Sequence, residues 1–260
     1  MSATKYKLAI VDDHQIVIDG LRSLLKGYDQ YEIVIESNHP EAIPSLLQQQ
    51  QIDIMLTDVM MPVMDGFELC KQIKSNFESS HIAVILLTAK NTLQSKIEGL
   101  EIGADAYIDK PFSPKHLQVQ IANLLVNKNK IKEYFSKSPL VHMNSLAYTK
   151  ADEQFLEELN NAIDLHMNDS NLDVEHLAGH MNMSRPTLYR KIKAVSDLTP
   201  NELINLARLK RAAKLFAEGN TRINEIAELV GYTSPLHFTR NFQKQFGMLP
   251  TDYLKGRTGE

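Results

Sequence analysis

The sequence predicts two domains of different class: a doubly wound α/β domain on five parallel strands, followed by an all-α domain of tandem helix-turn-helix units. Three observations carry this. A length of 260 residues favours two domains. The first half repeats a short β-branched run followed by an amphipathic stretch five times. After Asp152 the alternation stops, and a helical segment of about fifty residues occurs twice.

The apolar runs Leu8–Val11, Ile33–Ile35, Ile54–Leu56, Val84–Leu87 and Ala106–Ile108 read as strands buried on both faces. Between and after them, helical patterns fall at about 14–26, 41–50, 65–76, 93–102 and 114–126. This gives a first domain over 1–126. Polar residues crowd 127–151 around Ile131, Tyr134 and Phe135, which reads as a linker with one short helix. From 152 to 260 only helical patterns follow.

Composition sets the outer limits. Hydrophobic content of 43% with 23% charged residues excludes fibrous, collagen-like and wholly disordered chains. The single cysteine, Cys70, rules out an internal disulfide, suits a reducing cytoplasm and reads as a helix-packing residue. The longest apolar run, Ile82–Leu87, is far short of a membrane span, and the amino-terminal residues lack the apolar core of a signal peptide. A cytoplasmic protein without membrane contact is expected.

A formal net charge of −4 argues, taken whole, against a nucleic-acid partner. Its distribution reverses that. The residues before 127 hold ten basic and sixteen acidic side chains, whereas Ser184–Arg257 holds thirteen basic and six acidic. The carboxyl-terminal stretch is a candidate anion-facing surface.

Ligands of an open parallel sheet sit outside the carboxyl ends of its strands. Those ends carry Asp12 and Asp13, then Asp58, then Thr88, then Lys110. Three carboxylates in one crevice require a cation, and Mg²⁺ with its preference for oxygen ligands fits. Asp58 can then accept a phosphoryl group as an acyl phosphate, while Asp13 and Asp12, the latter directly or through water, hold the metal. Lys110 and the Thr88 hydroxyl can bind phosphoryl oxygens. Singly, these residues could be helix caps, a loop acid and a solvated lysine; their recurrence at successive strand ends points to one site.

Val11-Asp12-Asp13, Asp58-Val59-Met60-Met61-Pro62-Val63-Met64-Asp65-Gly66, Thr88-Ala89 and Tyr107-Ile108-Asp109-Lys110-Pro111-Phe112 resemble the receiver domain of two-component response regulators, over residues 5–126. The resemblance implies a flavodoxin-like fold and a sensor histidine kinase as phosphate donor to Asp58. It implies that the Met60 backbone carbonyl completes the Mg²⁺ ligands and that the Lys110–Pro111 bond is cis. It also implies a switch in which Thr88 moves toward the phosphoryl group and Tyr107 fills the space, reshaping the face of the fourth helix, fifth strand and fifth helix.

In the second half, Leu177-Ala178-Gly179-His180-Met181 aligns with Ile226-Ala227-Glu228-Leu229-Val230 at an offset of 49. Ser184, Leu188, Arg190, Ile192 and Pro200 align with Ser234, Phe238, Arg240, Phe242 and Pro250 at an offset of 50. One extra residue therefore sits in the second turn. Each copy reads as helix, turn, helix, at about 172–195 and 222–246. A joining helix over Pro200–Ala217 spans roughly 27 Å. With the width of its neighbours, it would set two recognition helices about 34 Å apart, one turn of DNA. Candidate DNA contacts are Ser184, Arg185, Thr187, Tyr189, Arg190 and Lys193 in the first copy, and Thr233, Ser234, His237, Thr239, Arg240 and Lys244 in the second. His176 and His180 have metal-ligand spacing without a third ligand nearby and read as helix surface.

Arg208-Leu209-Lys210-Arg211-Ala212-Ala213, Ile223-Asn224-Glu225-Ile226-Ala227, Val230-Gly231-Tyr232, Phe238-Thr239-Arg240-Asn241-Phe242 and Phe246-Gly247-Met248-Leu249-Pro250 resemble the AraC/XylS type of DNA-binding domain, over about 152–256. Pro186 and Pro235-Leu236 depart from the polar residues that relatives often carry where bases are read, which leaves more to phosphate contacts and DNA shape.

The combined expectation is a phosphorylation-controlled transcription regulator, not an enzyme on a separate substrate. Its partners would be a sensor histidine kinase, double-stranded promoter DNA, RNA polymerase and a second copy of the chain on phosphorylation. Two other readings use the same residues: the carboxyl-terminal portion of a hybrid sensor kinase, or a phosphorelay module whose helical half binds protein. The start at Met1 with a short lead into the first strand favours a free-standing protein over the hybrid.

Overall fold

The computed structural model describes residues 5–89 and 93–255. Arg257, counted in the basic stretch, lies outside them. The chain divides into two compact units: one runs to Lys128 and takes in Tyr148–Asp152, and the other joins Asn129–Ala147 to the residues from Glu153 onward.

In the first unit, β1 (Tyr6–Val11), β2 (Tyr31–Ser37), β3 (Ile54–Asp58), β4 (Ala83–Thr88) and β5 (Ala106–Asp109) form one sheet in the order β2-β1-β3-β4-β5. All four pairings are parallel. Side chains alternate across it. Leu8, Ile10, Ile54, Leu56, Ile85, Leu87 and Ile108 pack with Ile18, Leu21 and Leu25 of α1 (Gln15–Leu25) and with Leu117, Ile121 and Leu125 of α5 (Pro114–Lys137). Ala9, Val11, Met55, Val84 and Leu86 face the other way, onto Ile43 of α2 (Ile43–Leu47) and Leu69, Cys70 and Ile73 of α3 (Gly66–Ser75). α4 (Leu93–Glu101) completes the unit. Helices on both faces explain why the strands read as unbroken apolar runs. Cys70 is wholly buried, as its expected packing role requires, and burial pushes its thiol up to about 12.

Two segments differ from expectation. The helix expected over 41–50 splits into a 3₁₀ turn, Pro40–Ala42, and the short α2, which carries Pro44 in its first turn. α5 continues past 126 to Lys137. Much of the expected linker therefore belongs to the folded units: Tyr148 donates from its hydroxyl to the Lys128 carbonyl at 3.3 Å, and Ser80 donates to the buried Asp152 carboxylate at 2.7 Å.

The second unit contains α6 (Lys150–Leu165), α7 (Val174–His180), α8 (Arg185–Ser196), α9 (Pro200–Ala217), α10 (Ile223–Leu229), α11 (Pro235–Phe246) and α12 (Pro250–Lys255), α6 beginning in the first unit. α7–α8 and α10–α11 are the two expected helix-turn-helix copies, and α9 has the expected bounds. Four residues separate the first pair and five the second, which places the extra residue where the alignment put it. The backbone repeats as well. Asn182 and Gly231 take positive φ in the two turns, and Asp197 and Gly247 do so after the two recognition helices. Leu188 and Ile192 of the first copy and Phe238 and Phe242 of the second are fully buried. The Phe216 ring of α9 lies 5.9 Å from that of Phe242 and 6.4 Å from that of Phe238.

Gly231 is the tighter of the two turn positions. Its φ is +80°, and a Cβ there would lie 2.3 Å from the Met167 carbonyl oxygen. Gly231→Ala should therefore lower unfolding stability by about 2–3 kcal/mol in urea titrations, combining left-handed strain with a backbone clash. Asn182→Gly, at the matching turn, should change it by less than about 1 kcal/mol.

Candidate functional site

β1 and β3 are neighbours in the sheet, but their following connections run to opposite sides, which opens a crevice at their carboxyl ends. Asp12 follows β1 and is 1% exposed; Asp58 ends β3 and is 6% exposed. Lys110, after β5, reaches both. Its Nζ lies 2.9 Å from Asp12 Oδ2 and 2.8 Å from Asp58 Oδ1. Burial pulls the Lys110 ammonium down, but hydrogen bonds to Asp58 and Asp12 outweigh it and hold the group above the usual lysine value.

The remaining polar atoms are fixed by backbone. The Met60 N–H donates to Asp58 Oδ2 at 3.0 Å, and the His14 N–H donates to Asp12 Oδ1 at 2.9 Å. Asn38 donates to the Asp12 carbonyl at 2.9 Å. Gly66 begins α3 beneath the site, where a Cβ would fall 2.2 Å from the Asp58 carbonyl oxygen. Only glycine lets that helix approach so closely. Its start is capped by Asp65, which accepts from the Glu68 N–H at 2.8 Å.

Asp12, Asp13 and His14 each bring a ligand atom within 4.8 Å of the others. Asp13 also accepts from, or pairs with, His14 Nδ1 at 2.8 Å. Three carboxylates face one ammonium here, so the crevice keeps excess negative charge. Asp12 and Asp13 bring carboxylate oxygens close together, and Asp58 shares the Lys110 ammonium with Asp12, an oxygen-rich cluster of the kind a hard divalent cation such as Mg²⁺ prefers. His14 adjoins Asp12-Asp13 in sequence, but only the folded chain brings its ring onto the Asp13 carboxylate.

Thr88 is fully buried at the end of β4, and its carbonyl accepts from the Lys110 N–H at 2.6 Å. Tyr107 is half-buried on β5, against α4: a Cβ on Gly99 would lie 3.1 Å from its ring. Lys96 Nζ is 6.0 Å from the Tyr107 ring centroid. Lys110 thus contacts both Asp12 and Asp58, Asp13 follows Asp12 in the chain, Thr88 ends β4, and Tyr107 lies on the neighbouring β5. The Lys110–Pro111 bond is cis.

In the second unit, α8 and α11 each bury one face, and the twelve candidate DNA-contacting side chains all lie off it. Arg185, Tyr189, Thr233, His237, Arg240 and Lys244 are exposed, as is Ser184, whereas Thr187, Arg190, Lys193, Ser234 and Thr239 are partly exposed. Several have structural duties. Ser184 caps α8 by accepting from the Thr187 N–H at 3.3 Å and donates to the Thr187 hydroxyl at 2.9 Å; Ser234 caps α11 through the His237 N–H. Arg185 pairs with Glu175 at 2.9 Å, and Lys193 donates to the Asp197 carbonyl. The basic count overstates the free charge of this unit. Lys191 is buried with its ammonium 5.5 Å from the Phe155 ring centroid, and burial pulls Lys210 down to about 8. Arg208 donates to the Asp169 carbonyl, and burial lowers its pKa. His180 forms an edge contact with His166 at 5.5 Å between centroids, and His176 pairs with Asp173 at 2.8 Å. Among the described residues, neither joins a cluster that could hold a metal.

Residues 8–122 match the family model for the response regulator receiver domain, and residues 177–256 match that for a helix-turn-helix domain of the AraC/XylS type. The chain thus carries a response regulator receiver domain followed by a helix-turn-helix domain. The receiver is similar to the response regulator SaeR of Staphylococcus aureus, 40% identical over 123 residues, covering 47% of this chain and 52% of that one. A longer match extends over both domains of this chain: a protein of Formosa agariphila named histidine kinase P4 is 38% identical over 249 residues, covering 96% of this chain and 18% of that one. The chain thus spans about half of the one relative and under a fifth of the other. A solved receiver-domain protein from Methanospirillum hungatei aligns with 49% of this chain and 98% of its own length, at 26% identity and a TM-score of 0.45. Among the described residues, no helix is long and apolar enough to cross a membrane.

Proposed function

We propose that the chain is a DNA-binding transcriptional regulator of a two-component system, switched by phosphorylation of Asp58. The reading rests above all on Lys110 bridging Asp12 and Asp58 within hydrogen-bond distance of both. In the proposed reaction, a carboxylate oxygen of Asp58 attacks the phosphorus of a phosphohistidine on a sensor kinase. The P–N bond breaks, the histidine is released, and an acyl phosphate forms on Asp58. Mg²⁺, held by Asp12, Asp13, Asp58 and the Met60 carbonyl, would supply charge neutralisation on the phosphoryl oxygens. Lys110 stays with those oxygens, and the Thr88 hydroxyl donates to one of them. The only chemistry assigned to the chain is on its own aspartate.

Withdrawal of Thr88 toward the phosphoryl group would admit the Tyr107 ring and bias the α4–β5–α5 face. α4 exposes Leu93, Ile97 and Leu100 there, an apolar edge suited to pairing with a second copy. The helix-turn-helix half would then hold promoter DNA through the outer faces of α8 and α11, within reach of RNA polymerase in the cytoplasm. We place the receiver at 1–126 and the DNA-binding domain at 152–260, with 127–151 joining them.

Asp13→Asn should weaken Mg²⁺ binding on the order of tenfold or more by calorimetry, because it removes one of the carboxylate charges that would hold the cation. Selection of bound fragments from a genomic library, with and without a small phosphodonor and Mg²⁺, tests the function as a whole. Enrichment of promoter fragments that grows with the phosphodonor is expected. Recovery of no specific DNA in either arm would refute it.

A further inference from the structure

We propose that residues Lys132–Val141 form a strap that fixes the two recognition helices, α8 and α11, relative to each other, and that they are positioning residues for DNA binding. The polar stretch around them reads as linker in sequence, yet Lys132, Phe135, Ser136, Ser138 and Val141 contact three elements of the helical unit. Lys132 Nζ lies 3.0 Å from Asp197 Oδ1, the residue in left-handed conformation that ends α8. Gln245, in the last turn of α11, donates from Nε2 to the Ser136 carbonyl at 3.0 Å and lies 3.4 Å from the Ser136 hydroxyl. Between these two, Lys210 of α9 donates to the carbonyls of Ser138 and Val141, and its ammonium sits 4.4 Å from the Phe135 ring centroid.

The sequence spacing supports this arrangement. Lys132, Phe135 and Ser136 stand at i, i+3 and i+4 on the final turns of α5, so one helix face presents all three. Phe135 is 1% exposed, and its burial anchors the segment while the polar contacts at either side set its register. Apart from the strap, α9 ties the first copy to the second, packing on both α8 and α11. With the strap, the carboxyl-terminal ends of both recognition helices are tied to one rigid element as well. A two-groove site demands fixed spacing, and holding that spacing before binding removes an ordering cost from association. The contacts stand by themselves; the consequence for DNA rests on the helix-turn-helix reading above.

The test measures spacing directly in the full chain. Nitroxide labels at Tyr189→Cys on α8 and Gln243→Cys on α11 report their separation by pulsed electron resonance. Cys70 does not interfere, being wholly buried with its thiol pushed up to about 12. A narrow distance distribution is expected in the parent, and a clearly broadened one in Phe135→Ala and in Lys132→Ala/Gln245→Ala, at unchanged helix content by circular dichroism. Should Phe135→Ala fail to fold, the double variant decides. Distributions as narrow as the parent's in the folded variants overturn the strap. On DNA, the variants should lose on the order of tenfold on a site with two half-sites and nothing on a single half-site. Equal loss on both sites would also overturn it. Failure of the parent to bind any DNA would count against the DNA-binding reading alone, since the label distances judge the strap without DNA.

Discussion

Asp58→Asn should abolish phosphorylation of this chain. Incubated with a small phosphodonor and Mg²⁺, the unaltered chain should gain one phosphoryl group by intact mass, lost again on hydrolysis of the acyl phosphate. The Asp58→Asn variant should gain none, a fall on the order of a hundredfold or more in rate, because an amide oxygen is a poor nucleophile and cannot form the mixed anhydride. The fold should be unaffected. Asp58 accepts from the Met60 N–H on Oδ2 and from Lys110 on Oδ1; an amide oxygen can keep one of these bonds, and Lys110 retains Asp12 as a partner. Lys110→Ala separates positioning from nucleophilicity: it keeps Asp58 but removes the ammonium from the developing phosphoryl charge, and should slow the reaction by roughly a hundredfold. A phosphoryl group retained by Asp58→Asn would move the acceptor to another residue.

The second large effect is on DNA. Arg240 is exposed on α11, and Arg190, its counterpart fifty residues earlier, is partly exposed on α8. They occupy equivalent positions in the two copies, off the buried faces of their helices, which makes this pair the candidate for guanine edges. Arg190→Ala combined with Arg240→Ala should weaken promoter binding by on the order of a hundredfold or more in gel-shift titrations, from about 1–3 kcal/mol at each site. Affinity of the unaltered chain should fall steeply as salt rises, through release of counterions from the phosphates. A double variant that binds as tightly as the parent would place base reading elsewhere on the two helices.

Much of the fold is legible in the sequence because local pattern and burial agree. All five strands fall on apolar runs, and both helix-turn-helix copies fall where the repeat places them, down to the extra residue in the second turn. The crevice is legible for a topological reason: in a parallel sheet, residues just after strands share one edge, so Asp12, Asp58 and Lys110 had to be near one another. What is not legible depends on partners far along the chain. The Asn and Lys residues at 127–130 suggest the end of a helix, but α5 continues because Phe135 is covered by Lys210, 75 residues later. Lys191 and Lys210 count as surface charge in the sequence, although one is buried against Phe155 and the other over Phe135. The expected helix at 41–50 is broken by Pro44, a local signal that the apolar spacing masks.

Whether a phosphoryl group on Asp58 changes the grip of the helical unit on DNA is decided by one titration. A promoter fragment recovered by genomic selection is titrated with the unaltered chain and with Asp58→Asn, each with and without phosphodonor and Mg²⁺, at one salt concentration. The account predicts that the phosphodonor shifts the midpoint of the unaltered chain and leaves that of Asp58→Asn where it was. The same midpoint for the unaltered chain in both conditions, with its phosphorylation verified by mass, would contradict it.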